Sequence, residues 1–529
     1  MGLWSAYFFV KFLLYAGGYI GFSRWLNLLF ALFTALPPRN ALQRFCKNLL
    51  AIPAGLALLY HDSWLPPIER VLSQTQNVAS FTLPYLLELL GRFINLKVMA
   101  VLAGMLAVYV VARRRLRMST FAFLGIFVII LKPEEALLPQ LPVQSHVIAG
   151  VAPTVATNPR DLGREALDGL LSQFYTRERS RQVHFQSVLQ SDPSYDIFIL
   201  HICSLSWDDL EAVTRTNDPL LERYDILFSS FNSGASYSGP AALRLLRGNC
   251  GETSHKDLYD GPSRECLVIN GLQDAGFEPH WLMNHDGHFG NFFADVSKRG
   301  AFPVPPEDSS GAAIAQRAFD GSPVYDDYST LSRWWNKRAS NPAPRVVLYY
   351  NTISLHDGNR AENKAESSAF AARLARLTSE ISKILDDLQR SGRRVIVIII
   401  PEHGAAVRGD RRQMPGLREI PTPAITRVPV GVVLVNALIP PHGTQQRIDS
   451  PASYLALNEL LSRFLNDNPF NAMTLDLSTY IRDLARTELV SENDGTVVMQ
   501  VADQYMMRTP DGEWSHWAAI RQSAAQYSP

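Results

Sequence analysis

The sequence is poor in cysteine and has no excess of charge of either sign. Only four of its 529 residues are cysteines, and 50 basic residues balance 50 acidic ones. Nucleic-acid-binding proteins carry basic surfaces, often with interleaved aromatic side chains, and no such stripe is present, so we expect no nucleic-acid partner. The first residues also lack a basic stretch followed by a small-residue cleavage site, so we expect no removed signal peptide.

Residues 1–135 are much more apolar than the rest of the chain. The apolar stretches there run over about Leu3–Gly21, Trp25–Leu36, Leu49–Tyr60, Val98–Ala112 and Phe121–Leu131. With its flanking residues, each approaches the ~20 residues that a helix needs to cross a bilayer. This pattern predicts an N-terminal α-helical membrane domain of about five spans.

Basic residues in this part are concentrated in two of the loops. Arg39, Arg44 and Lys47 lie between the second and third stretches, and "RRRLR" at 113–117 lies between the fourth and fifth. Because basic loops stay on the cytoplasmic side, the N-terminus would be inside, and the chain after about residue 133 would be outside. The alternative, core helices of a water-soluble fold, accounts less well for five stretches with this charge placement.

A segment rich in proline and small residues, 136–161, is typical of a linker and leaves 162–529 as a folded domain. Cys250 and Cys266 of this domain could close a loop of about 16 residues, which would stabilise it by on the order of 3 kcal/mol. An oxidising compartment outside the membrane permits such a bond. Cys203 is then left over and needs another role.

Four continuous apolar runs in this domain are typical of buried strands: Tyr195–Cys203, Arg345–Ile353, "RRVIVIIIP" at Arg393–Pro401, and Val428–Ala437. Between the second and third runs, apolar residues recur every three or four positions from Phe370 to Leu388, which predicts a helix that stops at Gly392. Alternating strands and helices with continuously apolar strands predict a parallel or mostly parallel sheet that helices cover on both faces.

Three of these runs lead into side chains that bind metals or move protons. Cys203 ends the first run, His356 follows the second, and Glu402 and His403 follow the third. Sites in such sheets form at the carboxyl ends of the strands, and zinc binds sulfur, imidazole nitrogen and carboxylate oxygen. We therefore predict zinc ligands at Cys203, Glu402 and His403. The alternatives are a packed core thiol and a solvated Glu-His turn.

A serine within "ASYSGPA" is a candidate nucleophile. Ser238 precedes Gly239 and Pro240, and proline is favoured in a first helical turn, so Ser238 is expected where a helix begins. Its simplest role is an N-cap. A helix N-terminus also attracts phosphate, and a nearby zinc ion would lower the pKa of the hydroxyl, so both roles are open.

Several segments together resemble the alkaline phosphatase superfamily, namely "YDIFILHICSLSWDDL", "FNSGASYSGPA", "DGSPVYDD", "YNTISLHDGN" and "VIIIPEHGAAVRGDR". They are most similar to the phosphoethanolamine transferases of bacterial cellulose secretion systems, over essentially the whole chain. The resemblance implies an α/β/α alkaline-phosphatase-like domain in the periplasm, anchored by a multi-pass domain in the inner membrane. It also implies one zinc site formed by Cys203, Ser238, Glu402 and His403, with Ser238 as nucleophile.

The implied reaction transfers phosphoethanolamine from phosphatidylethanolamine to glucose 6-hydroxyls of cellulose through an intermediate on Ser238. Subunits of the cellulose synthase and secretion complex are the implied partners. Cys203 replaces the usual acid of the superfamily, Ser238 replaces the threonine of lipid A transferases, and Glu402-His403 replaces Asp-His, which favours the cellulose-modifying relatives. The alternatives are a phosphodiesterase or sulfatase-like hydrolase of this superfamily and a non-catalytic scaffold of a polysaccharide-export complex.

Auxiliary roles follow for other residues near these motifs. His356 is a candidate acid–base or phosphate donor, or else a structural histidine. Tyr237 is expected to orient substrate, to stack on a sugar or to pack in the core. The two histidines and the aspartate of "NHDGHFG" at Asn284–Gly290 raise the possibility of a second metal, although no complete ligand shell can be assembled there.

An arginine near the predicted site is expected to clamp phosphate with its planar fork. The resemblance points to Arg418 in "PGLREIP", whereas the sequence alone leaves it equal with three neighbouring arginines that would otherwise lie in a solvated loop, Arg408, Arg411 and Arg412.

Overall fold

The computed structural model describes residues 4–17, 20–63, 81–93, 96–131, 162–410, 412–438, 445–471 and 475–517. The chain forms two compact units. The first comprises the described residues within 1–75, 87–156 and 410–414, and the second those within 76–86, 157–409 and 415–529. The predicted linker at 136–161 and Arg411 lie outside the described residues.

The described chain before residue 132 is helical. Its helices are α1 (Trp4–Ala16), α2 (Arg24–Ala35), α3 (Ala41–Asp62), α4 (Leu83–Phe93), α5 (Leu96–Ala112) and α6 (Met118–Leu131). Each of the five predicted apolar stretches falls on a helix, whereas α4 was not predicted. Helix α3 begins earlier than its apolar stretch because the side chain of Asn40 accepts a hydrogen bond from the Gln43 backbone N–H. None of the described helices has the length and apolar character needed to span a membrane.

The first unit has a small apolar core, formed by Phe8, Phe30, Ala31, Ala51, Leu58, Ala122 and Ile126. It also buries a polar cluster of Lys11, Asn27 and Asp62. The Lys11 ammonium donates to Asn27 Oδ1 at 2.7 Å and to Asp62 Oδ2 at 2.5 Å, and Asn27 donates to the same carboxylate at 2.6 Å. A buried charge is tolerated when it is paired and hydrogen-bonded, so this cluster joins three helices.

The second unit contains the remaining helices and all the strands of the described chain. The helices are α7 (Arg164–Arg179), α8 (Trp207–Ala212), α9 (Pro219–Glu222), α10 (Ser238–Leu246), α11 (Val268–Asp274), α12 (Phe292–Ala294), α13 (Asp327–Arg338), α14 (Phe370–Arg390), α15 (Pro423–Thr426), α16 (Tyr454–Asn466) and α17 (Ser478–Ile481). The strands are β1 (Asp196–Ile202), β2 (Ile226–Asn232), β3 (Glu278–Met283), β4 (Ile314–Arg317), β5 (Pro323–Tyr325), β6 (Val346–Thr352), β7 (Val395–Pro401), β8 (Arg427–Val435), β9 (Gln446–Ile448), β10 (Val490–Asn493), β11 (Thr496–Val501), β12 (Gln504–Arg508) and β13 (Trp514–Trp517).

The main sheet has seven strands in the order β3-β6-β1-β7-β8-β2-β9. The strands β3, β6, β1 and β7 are parallel, and β8 runs antiparallel to both β7 and β2. The sheet is therefore mostly parallel, as predicted, although β2, β3 and β9 were not predicted and the fourth apolar run forms the antiparallel strand. Among the described residues of the connection between β7 and β8, the only helix is the one-turn α15, so no crossover helix carries the chain back to begin a parallel strand there.

Helices cover both faces of this sheet. Leu374, Leu377 and Ile381 of α14 pack in one apolar cluster with side chains of β1, β6 and β7. The other face carries a second cluster, with side chains from α10, α11 and α16. The prediction of α14 is confirmed, and Gly392 follows it with a positive φ of 70°. This α/β/α arrangement leaves the carboxyl ends of the central strands open to form a site.

The second unit also contains a disulfide and a separate four-stranded sheet. Cys250 and Cys266 form a disulfide, whereas the exposed Cys46 and the buried Cys203 are free. Strands β10–β13 form a separate antiparallel sheet, which the sequence reasoning did not predict and which packs with α7 around a third apolar cluster.

Candidate metal and nucleophile site

The sheet brings three potential metal ligands together at one edge. Strands β1 and β7 pair in parallel with Ile202 opposite Pro401, so the next residues, Cys203 and Glu402, leave the sheet side by side. The Cys203 sulfur, a Glu402 carboxylate oxygen and a His403 ring nitrogen lie within 4.8 Å of one another, and all three residues are fully buried. In the described part of the chain, no other group of three or more such residues has this geometry.

Ser238 lies next to this group. Its Oγ is 3.4 Å from Cys203 Sγ and 3.4 Å from His403 Nε2. It is the first residue of α10, and Tyr237 occupies the N-cap position, so the alternative that Ser238 is the N-cap is wrong. Since the first N–H groups of a helix lack intrahelical partners, this end of α10 offers donors and a partial positive charge beside the hydroxyl.

The ring of His403 is held in one orientation. Its Nδ1 lies 2.9 Å from the Gly404 carbonyl oxygen, which can only accept, so Nδ1 carries the proton. Nε2 is then left with its lone pair, 3.4 Å from Ser238 Oγ and 3.8 Å from Glu402 Oε2. Histidines that bind metals have this arrangement, in which the second nitrogen donates to a carbonyl or carboxylate.

Burial shifts the protonation of all three groups toward their neutral forms. It raises the pKa of Cys203 to about 12 and that of Glu402 to about 7, and it lowers the pKa of His403. Glu402 Oε1 accepts a hydrogen bond from Asn351 Nδ2 at 2.6 Å, whereas the buried Oε2 has no such partner among the described residues. A divalent cation would satisfy that oxygen and favour the thiolate and the carboxylate, and the S, O, N donor set fits zinc.

Arg418 reaches the site from the loop that follows β7. The side chain is buried, its Nη1 donates to Ser204 Oγ at 3.2 Å, and that hydroxyl lies 3.2 Å from Cys203 Sγ. Arg408, one of the other candidates, lies 3.7 Å from the carboxylate of Glu211. The sequence alone did not separate these arginines, because only the path of the loop decides which one turns toward the strands.

His356 lies in the loop after β6, partly buried against the ring of Phe319, with 5.0 Å between the ring centroids. Its Nδ1 is 2.7 Å from the Asp357 carbonyl oxygen, so this nitrogen donates. Burial lowers the pKa of His356 to about 4, and the positive charge of Arg418 acts in the same direction. The imidazole is therefore neutral near pH 7, with Nε2 as its basic nitrogen.

Tyr237 is half-buried and lies between two charged groups rather than in the core. Its hydroxyl donates to Glu419 Oε1 at 2.7 Å, and the Arg418 guanidinium lies 5.4 Å from the centre of its ring. Nothing in the sequence predicted a role for Glu419 except its position next to Arg418.

The segment "NHDGHFG" does not assemble a second metal site in the structure. His285 Nδ1 accepts from the Gly287 N–H at 3.0 Å and its Nε2 lies 2.8 Å from Asn351 Oδ1, so both ring nitrogens are engaged. Asp286 and His288 form an exposed pair at 3.2 Å. Asn351 was also missed by the sequence reasoning, although a polar residue inside the apolar run "VVLYYNT" was a usable signal.

The "DGSPVYDD" segment supports the site from outside it. Asp327, buried at the start of α13, accepts hydrogen bonds from Ser354 Oγ and from the Tyr350 hydroxyl. Asn284 donates to the same Ser354 hydroxyl at 2.9 Å. These bonds hold the loop that begins at the end of β6 and carries His356.

Fold and site together define an α/β protein with a candidate metal centre beside a serine hydroxyl. Two protein-family models match the chain, the cellulose biosynthesis protein BcsG N-terminal domain over residues 4–131 and the C-terminal domain of the same protein over residues 152–514. The chain belongs to the cellulose biosynthesis protein BcsG family, which confirms the predicted family relationship.

Curated relatives match along nearly the whole chain. The cellulose biosynthesis protein BcsG of Escherichia coli K12 is 37% identical over 532 residues, covering 97% of this chain and 95% of the relative. The protein of the same name from Salmonella typhimurium is 36% identical with the same coverage.

Solved structures are similar at a greater distance. A protein in the alkaline phosphatase superfamily from Vibrio parahaemolyticus has a TM-score of 0.45 and 13% identity, covering 65% of this chain and 87% of its own. The zinc complex of the C-terminal periplasmic domain of EcEptC from Escherichia coli has a TM-score of 0.41 and 12% identity, covering 58% and 94%. The integral membrane protein lipooligosaccharide phosphoethanolamine transferase A from Neisseria meningitidis has a TM-score of 0.41 and 12% identity, covering 85% and 97%.

Proposed function

We propose that this protein transfers phosphoethanolamine from phosphatidylethanolamine to glucose 6-hydroxyls of cellulose. The observation that carries the proposal is the position of Ser238 Oγ, 3.4 Å from both Cys203 Sγ and His403 Nε2. A hydroxyl held against three potential metal ligands is suited to nucleophilic attack on phosphorus. Membership of a cellulose biosynthesis family supports the acceptor, and the motif resemblance supports the donor and the transferred group.

Cys203, Glu402 and His403 would hold a single zinc ion, with the Ser238 hydroxyl as the fourth ligand. When bound, the ion supplies a positive charge that lowers the pKa of the hydroxyl and offsets charge on the phosphoryl group. The fit rests on the donor set, on the orientation of the His403 ring and on the unsatisfied Glu402 oxygen.

The reaction would proceed in two displacements. In the first, Ser238 Oγ loses its proton and attacks phosphorus, and the bond from phosphorus to the diacylglycerol oxygen breaks, leaving phosphoethanolamine on the serine. In the second, a cellulose hydroxyl loses its proton and attacks the same phosphorus, and the bond to Ser238 breaks. The amino-terminal N–H groups of α10 and the guanidinium of Arg418 would stabilise the phosphoryl oxygens in both steps.

Two further residues would assist these steps. In each displacement, neutral His356 would accept the proton of the attacking hydroxyl and pass it to the leaving oxygen of the same displacement, first that of diacylglycerol and then that of Ser238. Tyr237 would orient the substrate, because its ring lies under Arg418 and its hydroxyl is held by Glu419.

Residues 1–135 would form a multi-pass domain in the bacterial inner membrane, and residues 162–529 a catalytic domain in the periplasm, joined by the linker at 136–161. Many large apolar side chains of the first unit are exposed, among them Trp25 at 72%, Leu29 at 65% and Val108 at 68%, which suits contact with lipid. The disulfide suits an oxidising compartment. Tethering would keep the catalytic domain at high effective concentration near its lipid donor, beside the cellulose synthase and secretion complex.

The test is Ser238→Ala in cells that make cellulose, with Ser236→Ala as the neighbouring serine control. Solid-state NMR of the isolated polymer measures phosphoethanolamine per glucose. We expect Ser238→Ala to abolish the modification and Ser236→Ala to retain most of it. A water-accepting hydrolase would instead release free phosphoethanolamine and leave cellulose bare in the wild type, and a scaffold would work equally well without the Ser238 hydroxyl.

A further inference from the structure

The carboxylate of Glu402 is held by a residue from a strand that is not its neighbour. Asn351, fully buried near the end of β6, donates from Nδ2 to Glu402 Oε1 at 2.6 Å. In the sheet, β1 separates β6 from β7, with Asn351 opposite His201 and His201 opposite Ile400. The amide therefore reaches across β1 to the first residue after β7.

Besides Glu402, the Asn351 amide contacts the His201 carbonyl, 3.4 Å from Nδ2, and the ring of His285, and these contacts fix its orientation. The Gly287 backbone N–H donates to His285 Nδ1 at 3.0 Å, so this nitrogen is an acceptor and the neutral ring carries its proton on Nε2. His285 Nε2 lies 2.8 Å from Asn351 Oδ1 and must donate to it. The oxygen end of the amide is thereby fixed toward His285, and the NH2 end is fixed toward Glu402.

His201 also lies near the Glu402 carboxylate, but it does not make the close hydrogen bond that Asn351 makes. His201 Nδ1 lies 3.5 Å from Glu402 Oε1, but the same nitrogen lies 3.0 Å from the Tyr349 hydroxyl. The 3.5 Å separation is too long for a good hydrogen bond, whereas Asn351 Nδ2 lies 2.6 Å from the same oxygen. Asn351 is therefore the close donor to the carboxylate.

We propose that His285 and Asn351 form a positioning relay that sets the orientation of the Glu402 carboxylate toward the metal. The relay occupies Oε1 and leaves Oε2, which has no hydrogen-bond partner among the described residues, for the cation. Neither relay residue would touch metal or substrate. The inference rests on the proposed metal site and assigns part of "NHDGHFG" a role other than metal binding. Hydrogen-bond partners of metal ligands typically change metal affinity by about 10- to 100-fold when removed.

The test uses the purified full chain and two metals. Zinc affinity is measured by competition with a chelator. Absorption spectra are recorded after loading with Co2+, whose charge-transfer band reports the thiolate ligand and whose ligand-field bands report the coordination geometry. Asn351→Asp keeps the shape of the side chain but places an oxygen where an N–H faced Glu402. We expect it to weaken zinc affinity about 10- to 100-fold and to shift the ligand-field bands, while the thiolate charge-transfer band from Cys203 remains.

Two variants of the outer residue separate a relay from simple packing. His285→Gln retains a donor near the position of Nε2, whereas His285→Leu fills similar space without one. We expect His285→Leu to lower zinc affinity and His285→Gln to restore most of it. Asn468→Asp is the matched control, because this equally buried asparagine donates to the Pro193 carbonyl just before the amino end of β1, at the opposite edge of the sheet.

The possible results are distinct. Wild-type affinity and spectra in Asn351→Asp, equal behaviour of the two His285 variants, or an equal loss in Asn468→Asp would each overturn the relay alone. Failure of the wild type to bind zinc or cobalt would overturn the proposed metal site, and the relay with it. Weakened binding confined to Asn351→Asp and His285→Leu supports both.

Discussion

Ser238 Oγ lies 3.4 Å from Cys203 Sγ, although the two residues belong to different elements and are 35 positions apart in the chain. Cys203 follows β1, a central strand of the main sheet. Ser238 begins α10, which follows β2, the last strand but one in the sheet order. The fold therefore brings a thiol and a hydroxyl to one point, where a cation held by the first would act on the second.

Removal of the Cys203 thiol tests whether it is a metal ligand. We expect Cys203→Ala to lower zinc affinity of the full chain by more than about tenfold, because a site with two remaining protein ligands and a serine is incomplete. Cys203→Asp should retain part of the binding, since a carboxylate is also a zinc ligand. Zinc content after dialysis, measured by mass spectrometry, is the readout.

The control for this prediction is Cys46→Ala, which removes the other free cysteine, an exposed one in the first unit. Zinc content should remain at the wild-type level in this variant. If Cys203→Ala retained the same zinc as Cys46→Ala, the sulfur would have no part in the site, and its burial would be simple packing.

The loop that carries His403 is anchored by a buried aspartate. Asp209 accepts hydrogen bonds from the Ala405 N–H at 2.7 Å and the Val407 N–H at 3.1 Å. A Cβ at Gly404 would lie 2.6 Å from Ser206 Oγ and 2.9 Å from Asp209 Oδ2, closer than such atoms approach. We therefore expect Gly404→Ala to displace this loop, to destabilise the protein by about 1–3 kcal/mol and to weaken zinc binding.

Thermal unfolding and zinc affinity measure the two effects of Gly404→Ala. Gly169→Ala is the control, because Gly169 lies within α7 and a Cβ there meets no atom within 4 Å. That change should stabilise the chain by about 0.5–1 kcal/mol, as expected for alanine in place of glycine inside a helix. Equal stability of the two variants would show that the space beside Gly404 adapts without strain.

Arg418 is predicted to act through the planar fork of its guanidinium and not through charge alone. Arg418→Lys keeps the charge but loses both the geometry for two phosphoryl oxygens and the contact with the Tyr237 ring. We expect a loss of about 10- to 100-fold in kcat/KM for transfer, equivalent to about 1.4–2.7 kcal/mol. The matched control is Arg408→Lys, since Arg408 faces the Glu211 carboxylate at 3.7 Å and should tolerate the change.

The sequence predicted the grouping of the candidate ligands more completely than the contacts that surround them. Cys203, Glu402 and His403 could be predicted because each follows an apolar run, and parallel strands end at the same edge of a sheet. The direction of β8 could not be predicted, because an apolar strand has the same pattern in a parallel or an antiparallel pairing. Contacts such as that of Asn351 with Glu402 depend on strand order, which periodicity does not reveal.

The pH dependence of stability provides a test of the environment of His356. Burial lowers its pKa in the folded protein to about 4, from 6.5 in the absence of burial. Between these values the unfolded chain binds a proton at this position and the folded protein does not, so the free energy of unfolding rises with pH from about 4 to 6.5.

His356→Asn removes this contribution, while its amide can still donate to the Asp357 carbonyl that His356 Nδ1 contacts. We expect the free energy of unfolding, from urea titrations followed by tryptophan fluorescence, to depend less steeply on pH in the variant than in the wild type within this window. Above pH 6.5, where both states of the wild type carry a neutral imidazole, the two curves should run parallel. Parallel curves across the whole range would mean that His356 is as accessible to protons in the folded protein as in the unfolded chain, and that it is not held as a neutral base beside the site.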